Sequence, residues 1–128
     1  MSSTKTEGVL VSVRSAYVKE QSSPHLEHFV FAYKVRIVNE SAHTVQLIGR
    51  KWLISDATGR KRMVTGEGVI GQQPILAPGE SHEYISGCDF PTPIGQMHGF
   101  YFMERQVDGA ELKVRIPRFT MVVPYLLN

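Results

Sequence analysis

The chain has 128 residues, of which 42% are hydrophobic, and it carries a formal net charge of +2. This length and composition predict one ordered domain with a sizeable core and exclude a disordered chain. The small charge argues against nucleic-acid binding. No apolar run is long enough to span a membrane. The single cysteine excludes an intramolecular disulfide and fits a reducing cytosol.

The first predicted elements are a tail and two strands. Residues 1–7 are polar and lack the apolar segment of a signal peptide, so we expect a flexible tail before a single domain over residues 8–128. Alternation from Val9 onward predicts a half-buried strand. A loop over residues 19–27 precedes a second strand over about residues 28–39. The apolar face of that strand consists of Phe29, Phe31, Tyr33, Val35 and Ile37.

The third predicted strand covers residues 45–56. Its pattern places Ile48, Trp52 and Ile54 on one face and Leu47 on the other. After a turn over residues 56–59, a short strand over residues 60–65 leads into a glycine loop. Further strands are predicted over residues 81–86, 100–103 and 112–116, and Pro117 then indicates an edge strand or a bend.

These elements favour an all-β fold. About seven or more strands, with turn signals roughly every 8–12 residues and no helical period, are typical of an antiparallel β-sandwich of the immunoglobulin or fibronectin type III kind. A closed barrel is the alternative.

The glycine loop has the G-x-G-x-x-G spacing of a dinucleotide-binding fingerprint, but no crossover helix follows it, which excludes a Rossmann site. Two interpretations stay open. In the first, successive loop amides and nearby cations form an anion site for pyrophosphate or a polyphosphate. In the second, the glycines supply the positive φ angles that a turn needs. The residues of the predicted anion site are Gly66, Glu67, Gly68, Gly71, Arg50, Lys51 and Arg62.

Other candidate chemistry is sparse. His25 and His28 are weak candidates for metal ligands, but a zinc site needs three or four ligands. Cys88 has no evident base beside it, so we interpret it as an inert thiol. We therefore predict no catalytic residue, no cofactor, no metal site and no enzymatic activity.

Aromatic side chains over residues 100–103 alternate onto both faces of their strand, and residues 122–127 are apolar for a chain end. Either one face is an exposed binding or homodimer surface, or both faces are covered. The apolar end either docks on the body or adds to a neighbouring sheet edge.

Several segments resemble the bacterial ApaG family. They are residues 33–39, 45–52, 66–74, 76–80, 84–87, 95–99 and 116–119. The resemblance implies a fibronectin-type sandwich in a cytoplasmic protein, a link to cobalt and magnesium tolerance, and relatives in eukaryotic F-box and polymerase-delta-interacting proteins where the domain looks like an interaction module. Many relatives have a His after the Arg that corresponds to Arg50, and Lys51 stands there in this chain, so no role of that His is carried over.

The leading hypothesis is a non-catalytic binding module for a protein partner. The alternative is a small-molecule sensor that binds pyrophosphate or nucleotide polyphosphates through the glycine loop and its neighbouring cations. An enzyme is disfavoured, because no acid/base pair, nucleophile triad or metal constellation emerges.

Overall fold

The computed structural model describes residues 1–127, and within them the chain forms nine strands. They are β1 (Ser2–Thr6), β2 (Val9–Tyr17), β3 (Phe29–Asn39), β4 (Val45–Asp56), β5 (Lys61–Glu67), β6 (Ile75–Leu76), β7 (Ser81–Phe90), β8 (Ile94–Arg105) and β9 (Glu111–Val122). Three short 3₁₀ turns cover Lys19–Gln21, Pro24–Leu26 and Pro124–Leu127. Over the same residues, no helix has the length and apolar character needed to cross a bilayer.

The strands form two antiparallel sheets, which confirms the predicted all-β sandwich. One sheet has the order β1-β2-β3-β7, and the other has the order β5-β4-β8-β9 with β6 paired to β4. Strands β2, β3, β8 and β9 alternate between more and less buried side chains over most of their length, because successive residues of a strand point to opposite faces. The two inner faces therefore pack against each other as the core.

Aromatic rings from both sheets meet in the core. The five predicted apolar side chains of β3 are all buried, and so is Trp52 on β4. The Trp52 ring packs edge-on against Tyr33 and Phe119, with ring centroids 5.5 and 6.0 Å apart. Such aromatic pairs add about 0.5–1.5 kcal/mol each beyond the area that they bury.

A β-bulge corrects the predicted faces of β4. The pairing with β8 passes from Leu47 opposite Met103 to Gly49 opposite Phe102, so Ile48 is an extra residue. Because one extra residue reverses the alternation, Leu47 lies on the buried side together with Trp52, and Ile48 does not. The predicted grouping of Ile48 with Trp52 was therefore wrong.

A second irregularity lies at Pro117, in β9. The pairing with β8 passes from Met97 opposite Phe119 to Gly99 opposite Ile116. A bulge accommodates the missing amide of proline, so β9 continues to Val122 instead of ending near Ile116. Pro117 does lie in an edge strand of its sheet, as predicted.

The segment that we expected to be a tail is a strand. Residues Ser2–Thr6 form β1, which pairs with β2 from Ser2 opposite Val13 to Thr6 opposite Val9. Glu7 and Gly8 have φ of +54° and +77°, so they form the two-residue connection of a tight hairpin. The Thr6 hydroxyl accepts a hydrogen bond from the Arg115 amide at 3.3 Å, so β1 also closes one side of the sandwich against β9.

The apolar chain end docks on the body of the protein only in part, because Tyr125 and Leu126 are exposed. Val123 is fully buried, and its amide donates to the Pro93 carbonyl at 3.0 Å. Asn128 lies outside the described residues.

Candidate binding surface

The second half of the glycine loop is a tight hairpin turn. Val69 and Gln72 exchange backbone hydrogen bonds of 2.8 and 3.0 Å, and the two residues between them, Ile70 and Gly71, have φ of +48° and +72°. Two successive positive φ angles are the signature of a type I′ hairpin turn. Gly68 also has positive φ, and a Cβ there would lie 2.1 Å from the Gln72 carbonyl oxygen. Gly68 and Gly71 thus serve the backbone geometry of the turn.

The loop presents carbonyls to Arg50, whereas the anion-site interpretation needs free amides. The Gly68 amide donates to the Ile48 carbonyl at 2.8 Å. Arg50 Nη1 donates to the carbonyls of Glu67 and Gly68 at 3.0 and 2.8 Å. The Gly68 amide is therefore already engaged within the fold, and anion binding by this loop stays a prediction.

The three predicted cations do not form one patch. Arg50 and Lys51 are adjacent on β4, so their side chains leave opposite faces of the sheet. Arg50 shares the inner side with Trp52, and Lys51 lies on the outer side. Arg62, on β5, also turns inward and reaches β7, where its Nη2 lies 3.3 Å from Cys88 Sγ. The structure therefore separates Lys51 from the two arginines.

The two candidate metal ligands do not belong to a three-ligand cluster within residues 1–127. His28 Nε2 lies 3.2 Å from Oδ2 of Asp89, and the other carboxylate oxygen of Asp89, Oδ1, lies 3.7 Å from Arg62 Nη2. His25 is exposed in the 3₁₀ turn Pro24–Leu26. Across residues 1–127, no three His, Cys, Asp or Glu side chains converge in a way that could hold a metal ion.

Cys88 has the surroundings of an unreactive thiol. Burial raises the pKa of Cys88, and the nearby Arg62 guanidinium opposes that rise. A raised pKa leaves less of the nucleophilic thiolate at neutral pH. The environment of Cys88 supports its interpretation as an inert thiol.

The outer face of the five-stranded sheet, hereafter the outer face, combines basic and apolar side chains. One cross-strand row runs from Lys51 on β4 through Phe100 on β8 to Arg115 on β9. A neighbouring row joins Met63 on β5 to Leu53 on β4. Met63 is 60% exposed, so the apolar part of this face is open to solvent.

Aromatic residues 100–103 divide between the two sides of β8 as the alternation predicted. Tyr101 and Met103 are buried in the core, while Phe100 and Phe102 lie on the outer face. Lys113 Nζ lies 4.1 Å from the centre of the Phe100 ring, a cation–π contact. Phe102 is 39% exposed, so this side of the strand is only partly covered.

The cations of the outer face are free of carboxylate partners. They are Lys51, Lys61, Lys113, Arg115 and Arg118. None of them takes part in a salt bridge within residues 1–127. Of the acidic residues on this face, Glu104 and Glu111 lie opposite each other at its far end, and Glu67 lies in the row of Phe102 and Lys113. Near His98 the face is therefore basic.

His98 and Arg118 form the centre of this basic region. Arg118 donates to Gln96 Oε1 at 2.8 Å, and its Nη2 lies 3.3 Å from His98 Nε2. The pair lies between two surface hollows and lines both. One hollow, of about 430 Å³, reaches Phe100 and Arg115, and the other, of about 300 Å³, reaches Lys61. Acidic side chains of a bound segment would meet cations in either hollow.

The basic environment predicts a pH dependence of stability. Burial lowers the pKa of the His98 imidazole, and the charges of Arg118 and Lys61 lower it further. Between this lowered pKa and the ordinary value of about 6.5, the unfolded chain binds more protons than the native chain. Stability that is present above about pH 6.5 is therefore partly lost as the pH falls through this window.

We expect His98→Gln to reduce the loss of unfolding free energy between about pH 7.5 and about pH 5.5, measured by urea denaturation. We expect Arg118→Gln to raise the pKa of His98 in an NMR titration, but only partly, because burial is the larger cause. An unchanged pH dependence in His98→Gln would contradict this account of His98.

Sequence reasoning did not bring Lys61, His98 and Arg115 together as a candidate site. The alternation of Lys113 and Arg115 with Val114 and Ile116 was visible, but the cross-strand register was not. Arg118 was missed, because Pro117 suggested that the strand ended there.

Comparison with known proteins agrees with the fold and the family resemblance. A family model described as the ApaG domain matches residues 19–105. Protein ApaG of Paramagnetospirillum magneticum is 48% identical over 125 residues, covering 98% of this chain and 95% of that protein. Protein ApaG of Bordetella pertussis is 47% identical over 124 residues, covering 97% of this chain and 94% of that protein.

The fold comparison leads to the same family. The crystal structure of a Bordetella pertussis protein described as ApaA has a TM-score of 0.88 and 48% identity to this chain, and it covers 91% of this chain and 94% of its own. Because the family model spans more than half of the residues and the relatives align over nearly the whole length, the chain belongs to the ApaG domain family.

Proposed function

We propose that this chain is a non-catalytic binding module that holds an acidic segment of a protein partner on the outer face. The observation that carries the proposal is the group of basic side chains around Phe100 that has no carboxylate partner among residues 1–127. Carboxylates of a partner would supply the missing counter-charges, and the apolar side chains between the cations would contribute buried area.

The opposite sheet supports the choice of face. On its exposed side, Lys34 and Arg36 both pair with Glu83, at 3.2 and 3.4 Å, and Lys5 pairs with Glu40 at 3.3 Å. Three of its cations thus lie beside acids of the same chain, whereas Arg14 on β2 makes no salt bridge within residues 1–127. The outer face differs because its cations make no salt bridge within residues 1–127, and none of its acids, Glu67, Glu104 and Glu111, lies in the rows of His98 and Phe100.

Exposed apolar side chains add a second argument. Met63 and Phe102 are large and more than one-third exposed. Leu53 lies opposite Met63, and Phe100 lies opposite Lys51 in the row next to Phe102. Apolar residues that are surrounded by charge are typical of partner-binding surfaces. We also propose that the protein is cytoplasmic, as the family resemblance implies. Any effect on cobalt and magnesium tolerance would then be exerted by the bound partner and not by metal binding to this chain.

A capture experiment tests the proposal. We would compare the proteins that the tagged chain retains from lysate with those retained by Arg115→Glu/Arg118→Glu. A matched control, Arg14→Glu/Arg36→Glu, makes the same change in net charge on the exposed side of the other sheet. We expect an acidic partner to be retained by the wild type and the control and lost by the outer-face variant. Equal retention by all three proteins would contradict the choice of face.

A further inference from the structure

The two sheets leave a cleft on the side opposite β1. The edge strands there are β5 and β7, and between them lies a cavity of about 230 Å³. The polar side chains that line it come from four strands. They are Tyr33, Arg50, Arg62, Ser86, Cys88 and Asp89. Trp52 forms part of its apolar wall.

Each arginine keeps hydrogen-bond donors that the fold does not use. Arg50 donates to the loop carbonyls through Nη1, and its Nε and Nη2 make no hydrogen bond within residues 1–127. Arg62 contacts Cys88 Sγ and the Asp89 carbonyl through Nη2, while its Nε and Nη1 make no hydrogen bond within the same residues. Since a guanidinium has five N–H donors, both cations retain donors for a ligand.

The charge balance of the cleft is positive. Asp89 is the one carboxylate of the lining, and it lies between Arg62 and His28, at 3.7 and 3.2 Å. The Tyr33 phenol has a raised pKa because it is buried, although hydrogen bonding with Ser86 and the charge of Arg50 oppose the rise. The Tyr33 phenol and the Cys88 thiol are therefore neutral near pH 7 and add no negative charge.

We propose that this cleft binds a small oxyanion, a phosphate or a carboxylate, between Arg50 and Arg62. The planar guanidinium fork matches both kinds of oxyanion, and the Ser86 hydroxyl adds a neutral donor from β7. The site is separate from the outer face, because Arg50 and Lys51 leave opposite sides of β4. It shares Arg50 and Arg62 with the glycine-loop hypothesis but not the loop glycines or Lys51, which do not line the cleft.

Cys88 provides a reporter within the site. It is the one cysteine of the chain and lines the cleft beside Arg62, so a bound anion would shield it. Because its raised pKa makes Cys88 slow to react at neutral pH, we would measure its alkylation at mildly alkaline pH, where more thiolate is present. The reagent is iodoacetamide, which is neutral, and sodium phosphate and sodium acetate are each compared with sodium chloride at equal ionic strength. If only the free form reacts, an anion at ten times its dissociation constant should slow alkylation by about tenfold.

The arms of the experiment decide the outcome. Saturable slowing by phosphate alone identifies a phosphate site, and slowing by acetate alone identifies a carboxylate site. No slowing, or the same slowing in chloride, would overturn the proposal. Arg62→Gln should raise the half-saturating concentration by about tenfold, whereas Arg14→Gln, which removes the same charge from the exposed side of the four-stranded sheet, should leave it unchanged.

A second readout needs no variant and so does not depend on the folding of Arg62→Gln. In amide NMR spectra of the wild-type protein, the protecting anion should shift the resonances of Tyr33, Arg62 and Ser86 saturably. Shifts confined to residues away from the cleft would overturn the proposal.

Discussion

Gly99→Ala is expected to destabilise the protein by more than about 4 kcal/mol, or to prevent folding altogether. A Cβ at this position would lie 1.9 Å from the Lys51 carbonyl oxygen and 3.2 Å from Trp52 Cα. Both are backbone atoms of β4, so no side-chain rotation can relieve the overlap. The two central strands of the sheet would have to separate at the residues that carry Trp52 into the core and Lys51 onto the outer face.

Gly87→Ala is the matched control for this effect, because Gly87 is also a glycine in a strand. A Cβ on Gly87 would have the Phe31 carbonyl oxygen as its nearest neighbour, at 3.5 Å, which is an ordinary contact. Replacement of a strand glycine that has room for a methyl group should stabilise by about 0.5–1 kcal/mol. Urea denaturation of both variants measures the difference, and equal midpoints for Gly99→Ala and the wild type would refute the close approach of β8 to β4.

The second large effect concerns binding. The triple variant Lys51→Glu/Arg115→Glu/Arg118→Glu should bind an acidic probe peptide about 100-fold more weakly than the wild type. Each exposed ion pair contributes roughly 0.2–1 kcal/mol, and charge reversal replaces that attraction with a similar repulsion. Three such changes sum to about 3 kcal/mol, and 1.4 kcal/mol corresponds to a tenfold change in affinity.

Fluorescence anisotropy with a labelled peptide of Glu, Asp and Leu measures this effect. The affinity of the wild type should fall as salt is added, because exposed charges are screened, and that of the triple variant should change less. Arg14→Glu/Lys19→Glu/Arg36→Glu makes the same change in net charge away from the outer face. Equal weakening by both triple variants would show that only net charge matters and would remove the case for a specific surface.

The burial pattern of β3 shows how far the sequence alone defines this fold. Its five alternating apolar residues were predicted and are buried, because a regular strand repeats every two residues. The same reasoning failed at Leu47 and Ile48, where a bulge reverses the alternation. A bulge depends on how two strands pair across the sheet, and a single strand does not contain that information.

The candidate surfaces were harder to predict for the same reason. Arg50 and Lys51 looked like one basic patch because they are adjacent in sequence, yet alternation alone separates them onto opposite sides of β4. The proximity of Lys51 to Arg115 depends on β8 lying between their strands. The proximity of Arg62 to Cys88 depends on two sheet edges meeting, which no spacing in the sequence reveals.

The glycine loop shows a motif whose spacing misleads. Its positive-φ residues Ile70 and Gly71 build a tight turn, and Gly68 leaves no space for a side chain against Gln72. The structural interpretation of the glycines was available from the sequence. The role of Arg50 as a donor to the loop carbonyls was not, since it depends on the pairing of β4 with β5.

An amide NMR titration of the labelled chain with the acidic peptide tests the central claim most directly. We predict saturable shifts at Lys51, Phe100 and Arg115, which form one cross-strand row on the outer face, together with shifts at His98. Shifts on the exposed side of the four-stranded sheet, around Lys34 and Glu83, would contradict the proposal. So would the absence of saturable shifts at low salt, where the attraction between the charges should be strongest.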